Sequence, residues 1–309
     1  MYIPEQIHYT NLIRNSGQAL EPKPVKLSAE WEALFPKKDK TVLDGIRALL
    51  FDIYGTLFVS GAGEIAAGAV SNTNSIPQIP EAMKEYFRQA VIHYHEKAKT
   101  AGTSFPEVNV EEIWASYEGP IPSGWELPQK IRIILEKIGP RAARRYAGRE
   151  LALHFELACN PVYPMPEAEK TLRSLVTGGK KLGIISNAQF YTPLLFNAFF
   201  NASPSELGFD PELLIYSFEE KEAKPSFRLF AKARTILEKQ NIAAGETLYI
   251  GNDMRNDIIP AAEAGFVTAL FAGDSRSLRL REGECAGKKP DMVLSDLKTL
   301  GRGLSDTDN

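Results

Sequence analysis

Residues 48–56 read ALLFDIYGT. The apolar run 48–51 is followed by a carboxylate, Asp52, and then by a glycine at position 55. Four apolar residues in succession predict a buried strand of a parallel sheet. Gly55 predicts a turn directly after that strand. A carboxylate at such a point is held rigidly and presented to solvent, which suits a nucleophile better than a structural residue. We therefore take Asp52 as the candidate nucleophile of this chain.

The composition favours small-molecule chemistry. With 309 residues, of which 44% are hydrophobic, the chain can bury a substantial core and has room for a main domain and a subdomain. Its formal charge of -3, from 36 basic and 39 acidic residues, is too balanced to indicate nucleic acid or an anionic membrane as a partner. We expect a small anionic substrate, and the composition makes no prediction of the oligomeric state.

The cysteines and the hydropathy indicate a cytoplasmic protein. Cys159 and Cys285 lie far apart in the sequence, which predicts neither a disulfide framework nor a zinc site and fits a reducing compartment. Residues 1–18 do not have the pattern of a secretory signal, and no segment reaches roughly 18 uninterrupted apolar residues. Secretion and membrane spanning are therefore not expected.

Short apolar runs alternate with helical patterns along most of the chain. The runs that predict strands are residues 48–53, 181–185, 213–216, 247–250 and 267–271. The helical patterns between them cover residues 167–176, 226–239 and 256–264. This alternation is typical of an α/β domain with a doubly wound, Rossmann-like parallel sheet, which gathers its functional residues at the carboxyl ends of the strands.

One interval breaks the alternation and predicts an inserted α-helical cap. Between residues 64 and 160 strand-like runs are scarce, and residues 81–99, 129–138 and 142–158 have helical spacing. We predict an N-terminal extension packed on the main domain at residues 1–46, with a possible short helix at 28–35. The core would consist of residues 47–63 and 161–309, and the cap of residues 64–160 would cover its active edge.

Polar side chains follow four of the predicted strands, where the strand ends meet at one edge of the sheet. The sites are Asp52, Tyr54 and Thr56; then Ser186 and Asn187; then Lys224; and last Asp253 and Asp257. Three carboxylates at one edge repel each other, since two unit charges about 4 Å apart cost roughly 4 kcal/mol at an effective dielectric near 20. Lys224 alone cannot neutralise three, so either a proton is retained or a divalent cation is bound, and oxygen ligands favour Mg²⁺.

The ordered set resembles the motifs of the haloacid dehalogenase-like hydrolases over about residues 46–300. The resemblance implies that Asp52 forms a covalent aspartyl intermediate and that Lys224 positions the substrate. It also implies substrate or phosphate contacts from Thr56, Ser186, Asn187 and Tyr54. By resemblance to the metal-dependent members, Mg²⁺ would be held by Asp52, the Tyr54 carbonyl and Asp253, with Asp257 ligating directly or through water. Asp257 as the N-cap of the following helix is the alternative.

Two features of the motifs disagree about the reaction. Phosphatases of this family usually have Asp two residues after the nucleophile as the acid/base group, whereas Tyr54 is typical of the metal-independent 2-haloacid dehalogenases, whose halide leaves without a proton. Asp253 and Asp257 match the acidic pair of the metal-dependent phosphohydrolases instead. Asn252 adds one residue to the usual spacing between the glycine of this motif, Gly251, and its first acid, Asp253.

Three hypotheses follow. The leading one is a Mg²⁺-dependent phosphatase that hydrolyses the monoester of a small metabolite through Asp52. The alternative is a metal-independent 2-haloacid dehalogenase in which Asp52 attacks carbon. The third is a weakly catalytic or noncatalytic binding module that keeps the fold.

Overall fold

A computed structural model describes residues 4–17, 19–36, 43–63 and 160–301, and within the interval between the last two ranges it describes only residues 109, 149, 152, 153, 156 and 157. Two of the three predicted cap helices, and most of the third, therefore lie outside the described residues, and the division into core and cap stays a prediction.

The core is a parallel sheet flanked by helices, as the alternating pattern predicts. In chain order the strands of the described residues are β1 Ala48–Phe51, β2 Phe58–Ser60, β3 Val162–Pro164, β4 Lys181–Ser186, β5 Phe209–Tyr216, β6 Thr247–Gly251, β7 Val267–Phe271 and β8 Met292–Leu294. Six of them form one sheet in the order β5-β4-β1-β6-β7-β8, and each neighbouring pair is parallel. The strand order reverses next to β1, which places Asp52 beside the switch point of the sheet.

Both faces of the central strand are buried. Leu49 and Phe51 belong to one apolar cluster, while Ala48 and Leu50 belong to a second cluster on the opposite face. Successive side chains of a strand point to opposite faces, so a strand covered on both faces is apolar at every position. This explains the uninterrupted apolar run before Asp52.

Four of the helices in the described residues lie within a few residues of a predicted helix. They are α1 Pro4–Ser16, α2 Ala29–Glu32, α3 Ala168–Thr177, α4 Leu194–Phe200, α5 Ser217–Glu220, α6 Phe227–Lys239, α7 Ile259–Glu263 and α8 Lys298–Gly301. The helix predicted over residues 256–264 begins earlier, as a π-helical turn at Met254–Ile258 that leads into α7. Helices α1, α4, α5 and α8 lie where the sequence analysis predicted no helix.

The described part of the N-terminal extension packs against the sheet domain at two places. Tyr9 and Ile13 of α1 are buried, and the Arg14 Nε donates a hydrogen bond to the Ala198 carbonyl in α4 at 3.0 Å. Further along, the Leu34 carbonyl accepts a 3.0 Å hydrogen bond from the Val293 amide in β8. The extension thus covers one layer of helices and the edge strand of the sheet.

The chain leaves and re-enters the core at one place. Strands β2 and β3 pair in an antiparallel ribbon, and the Gly61 amide donates a hydrogen bond to the Pro161 carbonyl at 2.9 Å. The Asn160 Oδ1 accepts hydrogen bonds from the Ser60 hydroxyl at 2.8 Å and the Ala62 amide at 3.0 Å. The two ends of the interval 64–160 therefore lie side by side.

None of the helices in the described ranges combines the length and the apolar composition that crossing a membrane requires.

Candidate active site

The structure brings Asp52, Lys224 and Asp257 together at the carboxyl edge of the sheet. The Lys224 Nζ lies 2.8 Å from Asp52 Oδ1 and 2.5 Å from Asp257 Oδ1. The side chains of Lys224 and Asp257 are 3% and 1% exposed, and that of Asp52 is 11% exposed. One buried ammonium group thus bridges two carboxylates, of which Asp52 is the more accessible.

The pKa values of the bridged groups follow from burial and from their neighbours. Burial alone would lower the pKa of Lys224, but the charges of Asp257 and Asp52 raise it, so the side chain stays cationic. Burial raises the pKa of Asp257 to about 6 against the opposing effect of Lys224, and the charges of Asp52 and Asp253 raise it further. The pKa of the Asp257 carboxyl therefore lies above the ordinary range of an aspartate.

Tyr54 is fixed and cannot serve as a base. Its hydroxyl lies 2.9 Å from Thr192 Oγ1, and the residue is 5% exposed. Burial raises the pKa of Tyr54 well above its ordinary value near 10, and the charges of Glu156 and Asp52 raise it further. The hydroxyl is consequently neutral at any physiological pH.

Ser186 and Asn187, the polar residues predicted after β4, make hydrogen bonds to other groups of the protein. The Ser186 hydroxyl is buried and donates to the carbonyl of Asn187 at 3.0 Å. The Asn187 Oδ1 accepts a hydrogen bond from the Lys224 amide at 2.7 Å. Asn187 thus holds the backbone of the loop that carries Lys224.

The Asp253 carboxylate is engaged within the protein, by the turn that follows β6 and by an arginine. Its Oδ1 accepts hydrogen bonds from the amides of Arg255 at 2.9 Å and Asn256 at 3.2 Å, as the N-cap of the π-helical turn. Its Oδ2 lies 2.8 Å from the Nη2 of Arg281. The N-cap role that the sequence allowed for Asp257 thus falls to Asp253, and Asp257 is the acid that contacts Lys224.

Asn252, rather than Asp253, contacts the turn that follows Asp52. Its Oδ1 accepts a hydrogen bond from the Thr56 hydroxyl at 3.1 Å, and its Nδ2 donates to the Ser277 carbonyl at 2.7 Å. A Cβ added at Gly55 would lie 3.0 Å from the Asn252 Cγ. The amide therefore stands beside the turn that follows Asp52, one residue before the position at which the sequence predicted an acid.

The carboxylates of the predicted Mg²⁺ site have protein partners of their own. Both Asp253 oxygens accept hydrogen bonds, from Arg281 and from the N-cap amides, so a metal ion at Asp253 would have to compete with the Arg281 guanidinium. Among the described residues no group of three His, Cys, Asp or Glu side chains could hold a metal ion. The charge imbalance that favoured Mg²⁺ is also smaller than predicted, since Lys224 and Arg281 together face three carboxylates and the pKa of Asp257 is raised.

Sequence reasoning missed three residues that shape the site: Thr192, Tyr249 and Arg281. The Tyr249 hydroxyl contacts Lys224 and Asp257 from within β6. A signal existed for Tyr249, since a tyrosine in an otherwise aliphatic buried strand needs a partner for its hydroxyl. Thr192 and Arg281 lie in loops whose sequence carries no comparable signal.

A family model described as haloacid dehalogenase-like hydrolase matches residues 46–265, well over half of the chain. The match covers β1, β4, β5 and β6 together with Asp52, Ser186, Lys224 and Asp257. The chain therefore belongs to the haloacid dehalogenase-like hydrolases.

Solved structures resemble this chain at low sequence identity. L-2-haloacid dehalogenase from Xanthobacter autotrophicus, with chloropropionic acid covalently bound, is 17% identical, with 85% of this chain and 100% of that chain covered and a TM-score of 0.47. A 2-haloacid dehalogenase from Pseudomonas syringae pv. Tomato DC3000 is 16% identical, with coverage of 82% and 96% and a TM-score of 0.48. A predicted phosphoglycolate phosphatase from Haemophilus somnus 129pt is 17% identical, with coverage of 82% and 95% and a TM-score of 0.43. The search of the curated proteins found no match.

Proposed function

We propose that this hydrolase releases halide from a short 2-haloacid through a covalent ester at Asp52. The observation that carries the proposal is the environment of Tyr54, whose hydroxyl lies 2.9 Å from Thr192 Oγ1 and whose pKa is raised well above 10 by burial. Position 54 therefore offers no base, and its hydroxyl is a poor acid. Halide departs without a proton, so this reaction does not need the missing acid/base group.

The first step forms the ester. A carboxylate oxygen of Asp52 attacks C2 of the haloacid, a carbon–oxygen bond forms, and the carbon–halogen bond breaks with its electron pair leaving on the halide. Lys224 contacts Asp52 Oδ1, whereas Oδ2 has no hydrogen-bond partner in the described part of the chain, so we assign the attack to Oδ2. Ser186 and Thr56 are the donors that we assign to the substrate carboxylate, and each hydroxyl would turn its single hydrogen from Asn187 or Asn252 to the substrate.

The second step hydrolyses the ester. Water attacks the carbonyl carbon of the ester, Asp257 takes a proton from that water, and the tetrahedral intermediate collapses to Asp52 and the 2-hydroxyacid, whose alkoxide takes up the proton. Asp257 suits this role because it contacts the same ammonium group as Asp52, at 2.5 Å from Lys224 Nζ. Its pKa of about 6 gives it more basicity than an ordinary aspartate.

A Mg²⁺-dependent phosphate-monoester hydrolase is the second candidate. It is favoured by the charge of the bridged cluster, in which Asp52 and Asp257 share the single ammonium group of Lys224. The ion pair of Asp253 with Arg281 weighs against the phosphatase, because it engages one of the acids that the phosphatase reaction would use. A noncatalytic binding module is the third candidate, and loss of a measured activity in an Asp52 variant would remove it.

The two reactions are separated by one assay. Wild-type protein is incubated with both enantiomers of 2-chloropropionate, with and without excess chelator, and halide is measured alongside phosphate release from a panel of monoesters with Mg²⁺. The proposal predicts halide release that persists in chelator. Phosphate release that disappears in chelator, with no halide release, would establish the second candidate instead.

Asn252 offers a prediction about metal affinity. Asn252→Asp adds a carboxylate beside the turn that follows Asp52, so we expect it to create measurable Mg²⁺ binding at a site where a metal-independent wild type binds the ion weakly or not at all. Isothermal calorimetry measures this affinity. Asn241→Asp, the same change at an exposed position, is the control and should leave the affinity unchanged. Equal affinities in all three proteins would contradict the assignment of Asn252 to the edge of the site.

The pKa of Asp257 predicts the pH dependence of turnover. Asp257 accepts a proton only when ionised, and burial with the charges of Asp52 and Asp253 raises its pKa to about 6 despite Lys224. The value of kcat should therefore fall as the pH is lowered through about 6, rather than near the ordinary value of about 4. Halide release measured between pH 4.5 and 8 tests this, and a constant kcat down to pH 5 would exclude Asp257 as the base.

We also propose that residues 64–160 form a helical cap on a core of residues 47–63 and 161–309. The support is the pairing of β2 with β3, which brings the two ends of the interval together. Substrate selectivity would then lie in this cap. We infer a cytoplasmic location from the two widely separated cysteines.

A further inference from the structure

We propose that Tyr249 is a positioning residue, which fixes the Lys224 ammonium and the Asp257 carboxylate for hydrolysis of the covalent ester. This inference rests on the proposed function for the step that it assists. Tyr249 lies in the middle of β6, is completely buried, and does not follow the end of a strand as the other site residues do.

The hydroxyl of Tyr249 completes the hydrogen bonding of Lys224. An ammonium group has three hydrogens to donate. The Lys224 Nζ has three acceptors within reach, namely Asp52 Oδ1 at 2.8 Å, Asp257 Oδ1 at 2.5 Å and the Tyr249 hydroxyl oxygen at 3.3 Å. The third contact fixes the rotation of the ammonium group, so that its other two hydrogens point at the two carboxylates.

The same hydroxyl also donates a hydrogen. It lies 2.9 Å from Asp257 Oδ1 and 3.1 Å from the carbonyl of Ile185, and its single hydrogen can be given to either acceptor. Burial raises the pKa of Tyr249 well above its ordinary value, and the charges of Asp257 and Asp52 raise it further. Tyr249 therefore keeps its proton and acts as a permanent donor between β4 and Asp257.

Tyr249 acts through Lys224 and Asp257 because it has no access to the substrate. Its side chain is 0% exposed, and its ring packs on Phe230 with centroids 5.1 Å apart. Removal of its hydroxyl should therefore affect the chemical step and not the binding of substrate. Tyr249→Phe tests this directly, since the ring and its contact with Phe230 are retained.

A matched control exists on the same sheet. Tyr216 ends β5, is also buried, and its hydroxyl has no hydrogen-bond partner among the described residues. Tyr216→Phe removes the same atom without breaking a contact to Lys224 or Asp257. Thermal unfolding of both variants establishes that they are folded.

The experiment compares halide release by wild type, Tyr249→Phe and Tyr216→Phe. Loss of a hydrogen bond to a charged group predicts a fall in kcat of about 10-fold to 100-fold for Tyr249→Phe. KM should stay within about twofold of wild type, and both constants should be unchanged in Tyr216→Phe. An unchanged kcat in Tyr249→Phe, or a rise in KM alone, would overturn the positioning role.

Crystal structures of wild type and Tyr249→Phe separate this inference from the proposed reaction. The positioning role predicts that the contact between Lys224 Nζ and Asp257 Oδ1 is displaced or broken in the variant, whichever substrate the protein uses. If wild type releases no halide but the contact is lost, the reaction is wrong and the positioning role stands. An unchanged contact in the variant overturns the positioning role even if wild type is an active dehalogenase.

Discussion

We expect Asp52→Asn to release halide at a rate about 10⁴-fold or more below that of wild type, because the variant lacks the nucleophile that forms the ester. Asn has the size and shape of Asp, so packing at the end of β1 is retained, while the amide oxygen is a far weaker nucleophile than a carboxylate oxygen. Steady-state halide release measures the loss, and mass spectrometry of the protein after mixing with 2-chloropropionate measures the adduct.

Asp44→Asn makes the same change at an exposed position before β1 and should keep full activity and adduct formation. A residual rate in Asp52→Asn within about tenfold of wild type would show that water attacks the substrate directly. In that case Asp52 would only orient Lys224, and the covalent account would be wrong.

We expect Lys224→Met to abolish activity and to lower the free energy of unfolding by about 3–5 kcal/mol, because removal of one partner of a buried ion pair leaves an uncompensated charge. Two carboxylates lose their cation in this variant, since Asp52 and Asp257 both contact the Lys224 ammonium group. Urea denaturation at neutral pH measures the change. Part of the stability should return at low pH, where Asp257 takes up a proton.

Lys181→Met is the matched control for stability. The Lys181 ammonium also forms an ion pair, at 2.8 Å from Asp210 Oδ2. Its side chain is 34% exposed, and it lies at the amino end of β4, away from the carboxyl edge that carries the site. Partly exposed ion pairs contribute about 1 kcal/mol or less. Equal losses of stability in the two variants would contradict a special role for the bridged cluster.

The strands of the core were predictable because burial on both faces makes them continuously apolar. The run before Asp52 is of this kind, and the structure has a strand there. The three-residue strands β2, β3 and β8 are too short to give a pattern. Helix α1 was missed because few positions of it are buried, among them Tyr9 and Ile13, so its apolar stripe is narrow.

The catalytic edge was predictable only in part. Asp52, Ser186 and Lys224 follow from strand ends and from the order of the motifs. The orientation of Asp253 could not be predicted in this way. A shift of one residue at the end of β6 decides which side chain contacts the turn that follows Asp52. In this chain Asn252 takes that place, while Asp253 caps the next turn and pairs with Arg281, 28 residues further along the chain.

The most direct test of the central claim is a single turnover in H₂¹⁸O with enzyme in excess over 2-chloropropionate. If Asp52 attacks carbon, the hydroxyl oxygen of the product comes from the carboxylate, so the first lactate contains ¹⁶O and the peptide that carries Asp52 gains ¹⁸O. Lactate with ¹⁸O at the hydroxyl after one turnover, together with an unlabelled Asp52 peptide, would show direct attack by water and contradict the covalent mechanism.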